Sequence, residues 1–318
     1  IPVIFYLCEK NKLPNLLFIT SGSEKHLEIL ETNYKLNIEE KFDSEASIYR
    51  SMALPYFIPE LREGKFEFDL AQKNGLSSLV EEKDLKGILH NHSTYSDGND
   101  TLKDMALYCK ELGYEYLGIC DHSKSAFYAN GLKEDRIIQQ HQEIEKLNKE
   151  LAPFKVFKGI ESDILSSGEL DYSDDVLNTF DFIVASVHSN LRMDEEKATT
   201  RLIKAIENKY TTILGHPTGR LLLSRPGYPI DHKKVIDACS ANEVVIELNA
   251  NPYRLDIDWR WIQYAMEKGV MISINPDAHR KEGYHDMHFG VGVARKGGLT
   301  KEMTFNALSL EEIALKFF

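Results

Sequence analysis

Nine side chains of the types that bind divalent metal ions stand at or just after the ends of short apolar segments. They are His90, His92, Asp97, His122, Glu161, His188, His216, Asp277 and His279. Six of the eleven histidines of the chain are used in this way. Nine nitrogen and oxygen donors are too many for one tetrahedral zinc site and suit about two or three divalent ions. The pattern predicts a polynuclear metal centre and hydrolytic chemistry.

Two pairs of these donors have the spacing of side chains on one face of a strand. In His90-Asn-His92 the two imidazoles stand at positions i and i+2, and Asp277-Ala-His279 repeats that spacing. Side chains alternate between the two faces of a strand, so the members of each pair point the same way. We therefore expect His90 and His92 to hold one ion together.

The single donors allow alternatives when each is taken alone. Asp97 precedes Gly98 in a turn that can return its carboxylate toward the first histidine pair, but a surface turn aspartate remains open. His122 follows an apolar segment, where a core histidine bonded to the backbone remains open. Glu161 ends an apolar segment, and an unpaired carboxylate there would cost several kcal/mol. A carboxylate that bridges two metal ions is the sharper interpretation of Glu161.

Mixed imidazole and carboxylate ligation fits Zn²⁺, Mn²⁺ or Fe better than Mg²⁺ or Ca²⁺. Such a centre lowers the pKa of bound water and shields phosphoryl charge, which predicts phosphoester hydrolysis. Three basic residues closely follow donors, namely Lys124, Arg192 and Arg220. Arginine matches phosphate oxygens bidentately, so we predict that Arg220 and Arg192, and with them Lys124, bind phosphate and stabilise charge in the transition state. For Lys124 and Arg254, a solvated surface position remains an open alternative.

The elements that must position these donors alternate in type from residue 86 onward. Apolar, β-rich segments begin near residues 87, 116, 155, 182, 211, 244 and 270, and segments of helical period cover 102–112, 134–151, 195–207, 232–241 and 258–268. Asp100 is the predicted N-cap of the first of these helices. Strand followed by helix predicts parallel strands. Six of the seven strands supply a donor at the C-terminal end, which favours a closed, seven-stranded β/α barrel over an open sheet.

The first 82 residues differ from the rest and carry no cluster of donors. Leu16–Thr20 and the helix-like 23–32 suggest a small α/β segment, and Asn74-Gly75 followed by a charged stretch is the candidate linker. The larger domain is predicted to be 83–318. The chain has 318 residues, 42% of them hydrophobic, with no segment long and apolar enough to span a membrane and no CxxC pattern. We expect a soluble, cytoplasmic protein with reduced thiols.

The formal charge of −12 argues against a surface that binds polyanions generally. Three bound divalent cations would add six positive charges, taking −12 to about −6, and would place them where phosphate binds. A nucleic-acid substrate therefore stays possible.

The donor motifs resemble those of the PHP family, the polymerase and histidinol phosphatase domain. The similar segments are HNHSTYSDG from His90, DHS at Asp121, GIESDI around Glu161, SVHS around His188, GHPTGR from Gly215 and PDAH from Pro276. The resemblance implies a distorted seven-stranded barrel with three Zn²⁺ or Mn²⁺ ions. It implies one ion held by His90, His92, Glu161 and Asp277, a second by Glu161, His188 and His216, and a third by Asp97, His122 and His279.

A closer resemblance, over most of the chain, is to the C-terminal part of bacterial family X DNA polymerases. It rests on IPELREG within 49–64, TSGSEKH from Thr20, HPTGRLL from His216 and GVGVARKGGLT from Gly290. It implies a thumb-like first segment and 3′-5′ exonuclease or related 3′-end activity on DNA. Ile4 and Phe5 stand near the place expected for the third palm carboxylate, so we expect no polymerase activity from this chain.

Two other functions remain open at this point. One is a small-molecule phosphatase of the histidinol-phosphate type, which the acidic net charge favours. The other is a non-catalytic, metal-stabilised module of a polymerase, which the complete set of donors disfavours.

Overall fold

The computed structural model describes residues 2–73 and 75–317. The chain divides into two compact units, the first ending at Leu79 and the second beginning at Val80. The sequence placed the boundary between residues 82 and 83. Asn74, the start of the candidate linker, lies outside the described residues. The thumb-like character of the first unit stays a prediction.

The first unit is helical in its described residues, so the prediction of a mixed α/β segment was wrong. Its helices are α1 (Leu13–Ser21), α2 (Glu24–Tyr34), α3 (Glu45–Ser51) and α4 (Glu67–Gln72), with short 3₁₀ turns before α1, between α3 and α4, and after α4. The apolar residues 16–20 lie in α1, which has Pro14 in its first turn. A strand needs a hydrogen-bonded partner, and within 2–73 and 75–79 no second strand supplies one. Phe18 instead packs edge-on against Tyr49 in a helical core.

Seven parallel strands in sequential order form the second unit and confirm the predicted barrel. They are β1 (Gly87–Ile88), β2 (Tyr116–Ile119), β3 (Lys155–Asp163), β4 (Phe182–Ser186), β5 (Ile213–Leu214), β6 (Val245–Asn249) and β7 (Ile272–Asn275). A parallel bridge joins Asn91 to Ala278, just beyond the ends of β1 and β7. The backbone N–H of His92 donates to the carbonyl of Ala278 at 2.8 Å, so the first and last strands meet and the sheet closes.

Helices follow the strands as the sequence pattern predicts. The second unit contains α5 (Leu102–Glu111), α6 (Glu134–Leu151), α7 (Asp174–Leu177), α8 (Glu195–Ile206), α9 (His232–Ala241), α10 (Ile262–Glu267), α11 (Met287–Lys296) and α12 (Leu310–Ala314). The N-cap of α5 is Thr101 and not Asp100, because the Thr101 hydroxyl accepts the backbone N–H of Asp104. The carboxylate of Asp100 instead accepts the backbone N–H of Lys281.

The interior of the barrel changes from apolar to polar along the strands. Leu89, Val184 and Ile213 belong to one buried apolar cluster of the second unit. Beyond them the strand ends carry fully buried polar side chains, including Glu161 and Glu247. Parallel strands place their C-terminal ends at one mouth, so these polar groups converge there.

No described helix combines the length and the apolar character needed to cross a membrane. The four cysteines are free thiols, with Cys109, Cys120 and Cys239 buried and Cys8 exposed.

Candidate metal centre

Glu161 lies at the middle of the donor cluster. Its side chain is fully buried near the end of β3. One carboxylate oxygen, Oε1, lies 3.0 Å from His216 Nε2, 3.1 Å from His188 Nε2 and 3.3 Å from His90 Nε2. The other oxygen, Oε2, lies 2.9 Å from His122 Nδ1. Donors from five strand ends therefore meet at one carboxylate.

The remaining donors lie on the side of the cluster formed by the segments after β1 and β7. His92 Nε2 is 3.1 Å from Asp277 Oδ1. Asp97 Oδ1 is 3.7 Å from His122 Nε2 and 3.5 Å from His279 Nε2. The structure thus brings all nine predicted residues together.

Three overlapping groups have donor atoms close enough to share an ion. They are His92, Asp97, His122 and His279, then His90, His92 and Asp277, and then His122, Glu161 and His188. His92 and His122 each belong to two groups. This division differs from the one that the resemblance implied, in which His92 and His122 each serve a single ion.

Unsatisfied polar atoms show that the cluster fits metal ions. Among the described residues, the buried side-chain atoms without a hydrogen-bond partner include His90 Nε2, His92 Nδ1 and His216 Nδ1. A buried polar atom without a partner costs about 1–3 kcal/mol. A divalent cation satisfies such lone pairs, and imidazole and carboxylate are ligands that Zn²⁺ and Mn²⁺ accept.

The charges of the cluster favour ionised carboxylates. Burial opposes the ionisation of Glu161, but the imidazoles of His188, His90 and His122 hold its pKa well below the usual value. Burial lowers the pKa of His188, but the carboxylates of Glu161 and Asp163 together outweigh burial and raise it to about 10. Burial and the neighbouring His122 lower the pKa of His92 to about 3. At neutral pH, His92 is therefore ready to bind a metal ion, whereas His188 must first lose a proton.

Two buried carboxylates that the sequence analysis missed orient histidines of the cluster. Glu247, on β6, accepts His90 Nδ1 at 2.6 Å and the backbone N–H of His216 at 3.1 Å. Asp163, at the end of β3, accepts His188 Nδ1 at 2.5 Å. A carboxylate on one ring nitrogen fixes the tautomer, so that the other nitrogen faces the metal. The sequence signal for Glu247 was a lone charge inside an apolar strand.

A network on Asp121 positions the turn that carries Asp97. The buried Asp121 carboxylate accepts the hydroxyl and backbone N–H groups of Ser93 and Ser96. A Cβ at Gly98 would lie 2.5 Å from the carbonyl oxygen of His92, so only glycine lets the turn pack this closely. The predicted return of Asp97 toward the histidine pair therefore depends on Gly98 and Asp121.

Two donors occupy strained backbone conformations. His216 has φ of 22° and Asp277 has φ of 52°, in the region where L side chains are uncommon. Such strain costs about 1–3 kcal/mol and concentrates at functional sites.

The basic residues take different positions from those suggested by sequence proximity. Arg254 approaches the donors most directly, with Nε 3.1 Å from Asp277 Oδ2, so its position is not a solvated surface. Arg220 donates to the carbonyls of Arg254 and Leu255 and contacts Asp258 at 3.1 Å, which stabilises the loop after β6. Lys124 pairs with Glu134 at 2.8 Å. Phosphate binding by Arg220 and Lys124 stays a prediction.

Arg192 lies in the loop after β4, and its side chain is exposed. It lines a cavity of about 620 Å³ that also includes His188. No described residue forms a hydrogen bond or ion pair with its guanidinium. Of the three basic residues predicted from sequence, Arg192 is therefore the one whose charged group has no hydrogen-bond or ion-pair partner among the described residues.

A β/α barrel that gathers imidazoles and carboxylates at its mouth defines a metal-dependent hydrolase. Residues 89–275, more than half of the chain, match the family model described as PHP domain. The chain therefore belongs to the PHP domain family. Proteins with this domain are metal-dependent phosphoesterases, and this protein is an enzyme of that class.

Similar proteins carry two kinds of name. The DNA polymerase/3′-5′ exonuclease PolX of Bacillus subtilis (strain 168) is 42% identical over 272 residues, which cover 86% of this chain and 47% of that protein. A protein named as a probable phosphatase from Thermoanaerobacter sp. (strain X514) is 29% identical, over 48% of this chain and 64% of its own length. The chain thus spans about half of the first relative and under two thirds of the second.

A solved structure supports the fold. The crystal structure of histidinol phosphate phosphatase from Lactococcus lactis, complexed with Zn, L-histidinol and phosphate, has a TM-score of 0.51 at 15% identity. It covers 67% of this chain and 94% of that one.

Proposed function

We propose that the protein is a trinuclear metal-dependent 3′-5′ exonuclease that removes nucleotides from DNA 3′ ends. The observation that carries this proposal is the convergence of four imidazoles on the buried Glu161, with ligand-type atoms left unsatisfied. A carboxylate surrounded in this way is suited to bridge ions.

In this proposal each ion has a set of ligands, and the first two sets share Glu161. The sets are His90, His92, Glu161 and Asp277, then Glu161, His188 and His216, and then Asp97, His122 and His279. The 3.0–3.3 Å contacts of Glu161 with His216, His188 and His90 support the first two sets. The 3.5 and 3.7 Å contacts of Asp97 support the third. We propose Zn²⁺ or Mn²⁺, with Fe as a further candidate.

When bound, the ions supply a nucleophilic hydroxide and neutralise phosphoryl charge. The reaction adds water across the bond between phosphorus and the 3′ oxygen of the preceding nucleotide. It releases a nucleoside 5′-monophosphate and leaves a new 3′-hydroxyl group. The protein holds the phosphate through Arg254 beside Asp277, while Glu247 and Asp163 keep His90 and His188 in the required orientation.

Features around the mouth support DNA as the substrate. Phe127 and Tyr128, in a 3₁₀ turn after β2, are 85% and 71% exposed. The Tyr128 ring lies 6.3 Å from the ring of His122. Exposed aromatic rings beside a phosphate site suit bases of single-stranded DNA, which stack on them. The match to PolX spans 272 residues, whereas only 239 residues follow Leu79. The match therefore extends into the first unit.

A small-molecule phosphatase is the second candidate, favoured by the net charge of −12 and by the relative named as a probable phosphatase. The two candidates differ in product. We expect metal-loaded protein to release nucleoside monophosphates from the 3′ end of single-stranded DNA, and to release little phosphate from histidinol phosphate. Activity on histidinol phosphate alone would contradict the exonuclease. An Asp277→Ala variant controls for contaminating nucleases. A cytoplasmic location follows from the same proposal.

A further inference from the structure

The cavity beside His188 is unusually basic for this chain. Four of its lining residues are Arg192, Lys197, Arg201 and Arg225, and none of the described residues that line it is acidic. The chain as a whole has 50 acidic and 38 basic residues. A cluster of one sign in an acidic protein creates a local potential that attracts anions.

Two of the four basic side chains contact no hydrogen-bonding or ion-pair partner among the described residues. Arg201 donates to the carbonyls of Ile164, Leu165 and Ser189 and so stabilises the cavity wall. Arg225 uses one nitrogen on the carbonyl of Gly219. Within 2–73 and 75–317 no partner engages the side-chain nitrogens of the other two, Arg192 and Lys197.

The cavity lies beside the metal centre and shares His188 with it. His188 lines the cavity, and its Nε2 lies 3.1 Å from Glu161 in the centre. The adjoining pocket shares Lys197 and Arg201 but is also lined by Asp194 and Glu196 at the start of α8, so its charge is mixed. The basic stretch is therefore short and begins at a donor of the centre.

We propose that this cavity binds the phosphate group next to the scissile one, on the 5′ side, in a DNA strand whose 3′ end lies at the metal centre. The proposal rests on the exonuclease function and adds a subsite to it. Arg192 and Lys197 are the recognising groups, and contacts to backbone phosphates fix the register of a strand without reading its bases. A phosphomonoester of a small molecule has no second phosphate and leaves this cavity empty. The cavity would thus select strands over small esters.

Two dinucleotides that differ only in the second phosphate test the proposal. They are dTpdT, with one phosphate, and its 5′-phosphorylated form pdTpdT. We expect kcat/KM of the wild-type enzyme to be roughly tenfold higher for pdTpdT, as one charge-assisted contact predicts. In Arg192→Ala this ratio should fall to about one, Lys197→Ala should give an intermediate ratio, and Arg192→Lys should retain part of the preference. Lys204→Ala, on the same helix and paired with Glu169, should keep the wild-type ratio.

Salt dependence gives a second readout on a longer single strand. The slope of log kcat/KM against log salt should become shallower by about 0.7 in Arg192→Ala, because one phosphate contact is lost. Equal ratios in Arg192→Ala and wild type, or a wild-type enzyme that does not distinguish the dinucleotides, would overturn the subsite and leave the exonuclease intact. Hydrolysis of neither dinucleotide nor longer DNA by wild type would instead refute the exonuclease function.

Discussion

Replacing Glu247 with glutamine isolates the contribution of a carboxylate that orients a metal ligand without binding metal. Glu247 is fully buried, and each of its oxygens accepts two donors. Oε2 accepts His90 Nδ1 at 2.6 Å and Asn275 Nδ2 at 3.2 Å, and Oε1 accepts the backbone N–H of His216 at 3.1 Å and Asn249 Nδ2 at 2.9 Å. Glutamine keeps the size of the side chain but removes the negative charge. It also places an NH₂ group where an acceptor is needed, so two of the four donors lose their partner.

The expected loss follows from these contacts. A hydrogen bond to a charged group contributes about 1.5–3 kcal/mol. Since each 1.4 kcal/mol is a factor of ten, we expect Glu247→Gln to weaken metal affinity by about 10–100-fold, as is usual for partners of metal-bound histidines. The assay is a competition titration with a chromogenic zinc chelator, together with thermal unfolding to establish that the variant is folded.

The first unit offers a matched control. There the buried Glu67 accepts His26 Nδ1 at 2.8 Å, and none of the candidate metal groups among the described residues lies in that unit. Glu67→Gln should lower the free energy of unfolding of the first unit but leave metal affinity unchanged. Wild-type metal affinity in folded Glu247→Gln, or an equal loss in Glu67→Gln, would refute the reasoning.

Three further results are expected. Glu161→Gln should lower the metal content of the protein and reduce kcat by at least about 1000-fold, because ligation and bridging are lost together. Turnover by this variant at the wild-type rate would exclude bridging by Glu161. Metal binding at pH 7.5 should release protons, because nearby carboxylates outweigh burial and raise the pKa of His188 to about 10 and that of His279 to about 9. Calorimetry in buffers of different ionisation enthalpy measures the number of protons released. Burial lowers the pKa of His141 to about 4 from 6.5, so its neutral form is favoured in the folded state. The free energy of unfolding should therefore fall as pH decreases from 6.5 toward 4. Chemical denaturation at pH 7.5 and 5.5 measures this fall, and His141→Gln should reduce it by about 1 kcal/mol or less, because His141 is partly exposed.

The barrel and its donors were predictable because their signals are local. In the second unit each of the seven short apolar segments contains a strand, and the parallel strands of a closed barrel bring their C-terminal ends to one mouth. His122 and His216 could thus be placed together although 94 positions separate their numbers, 122 and 216. The two helices predicted at 134–151 and 232–241 have those bounds in the structure, α6 and α9.

What the sequence did not reveal depends on tertiary contacts. Segment 16–20 is a short apolar run, for which periodicity alone does not separate helix from strand. Helix α11 contains Gly290 and Gly292, which lower intrinsic helix propensity. A Cβ at Gly290 would lie 2.5 Å from Ala250, so close packing on the sheet determines that helix. Arg254 reaches Asp277 only through the folded loop after β6, and no sequence pattern indicates that contact.

The most direct test of the metal centre is an anomalous difference map from crystals of the metal-loaded protein, measured at the absorption edge of the bound metal. We predict three peaks at the barrel mouth, two of them within bonding distance of the Glu161 carboxylate and the third between Asp97, His122 and His279. Absence of any peak among the nine donors, at full metal loading of the protein, would contradict the account.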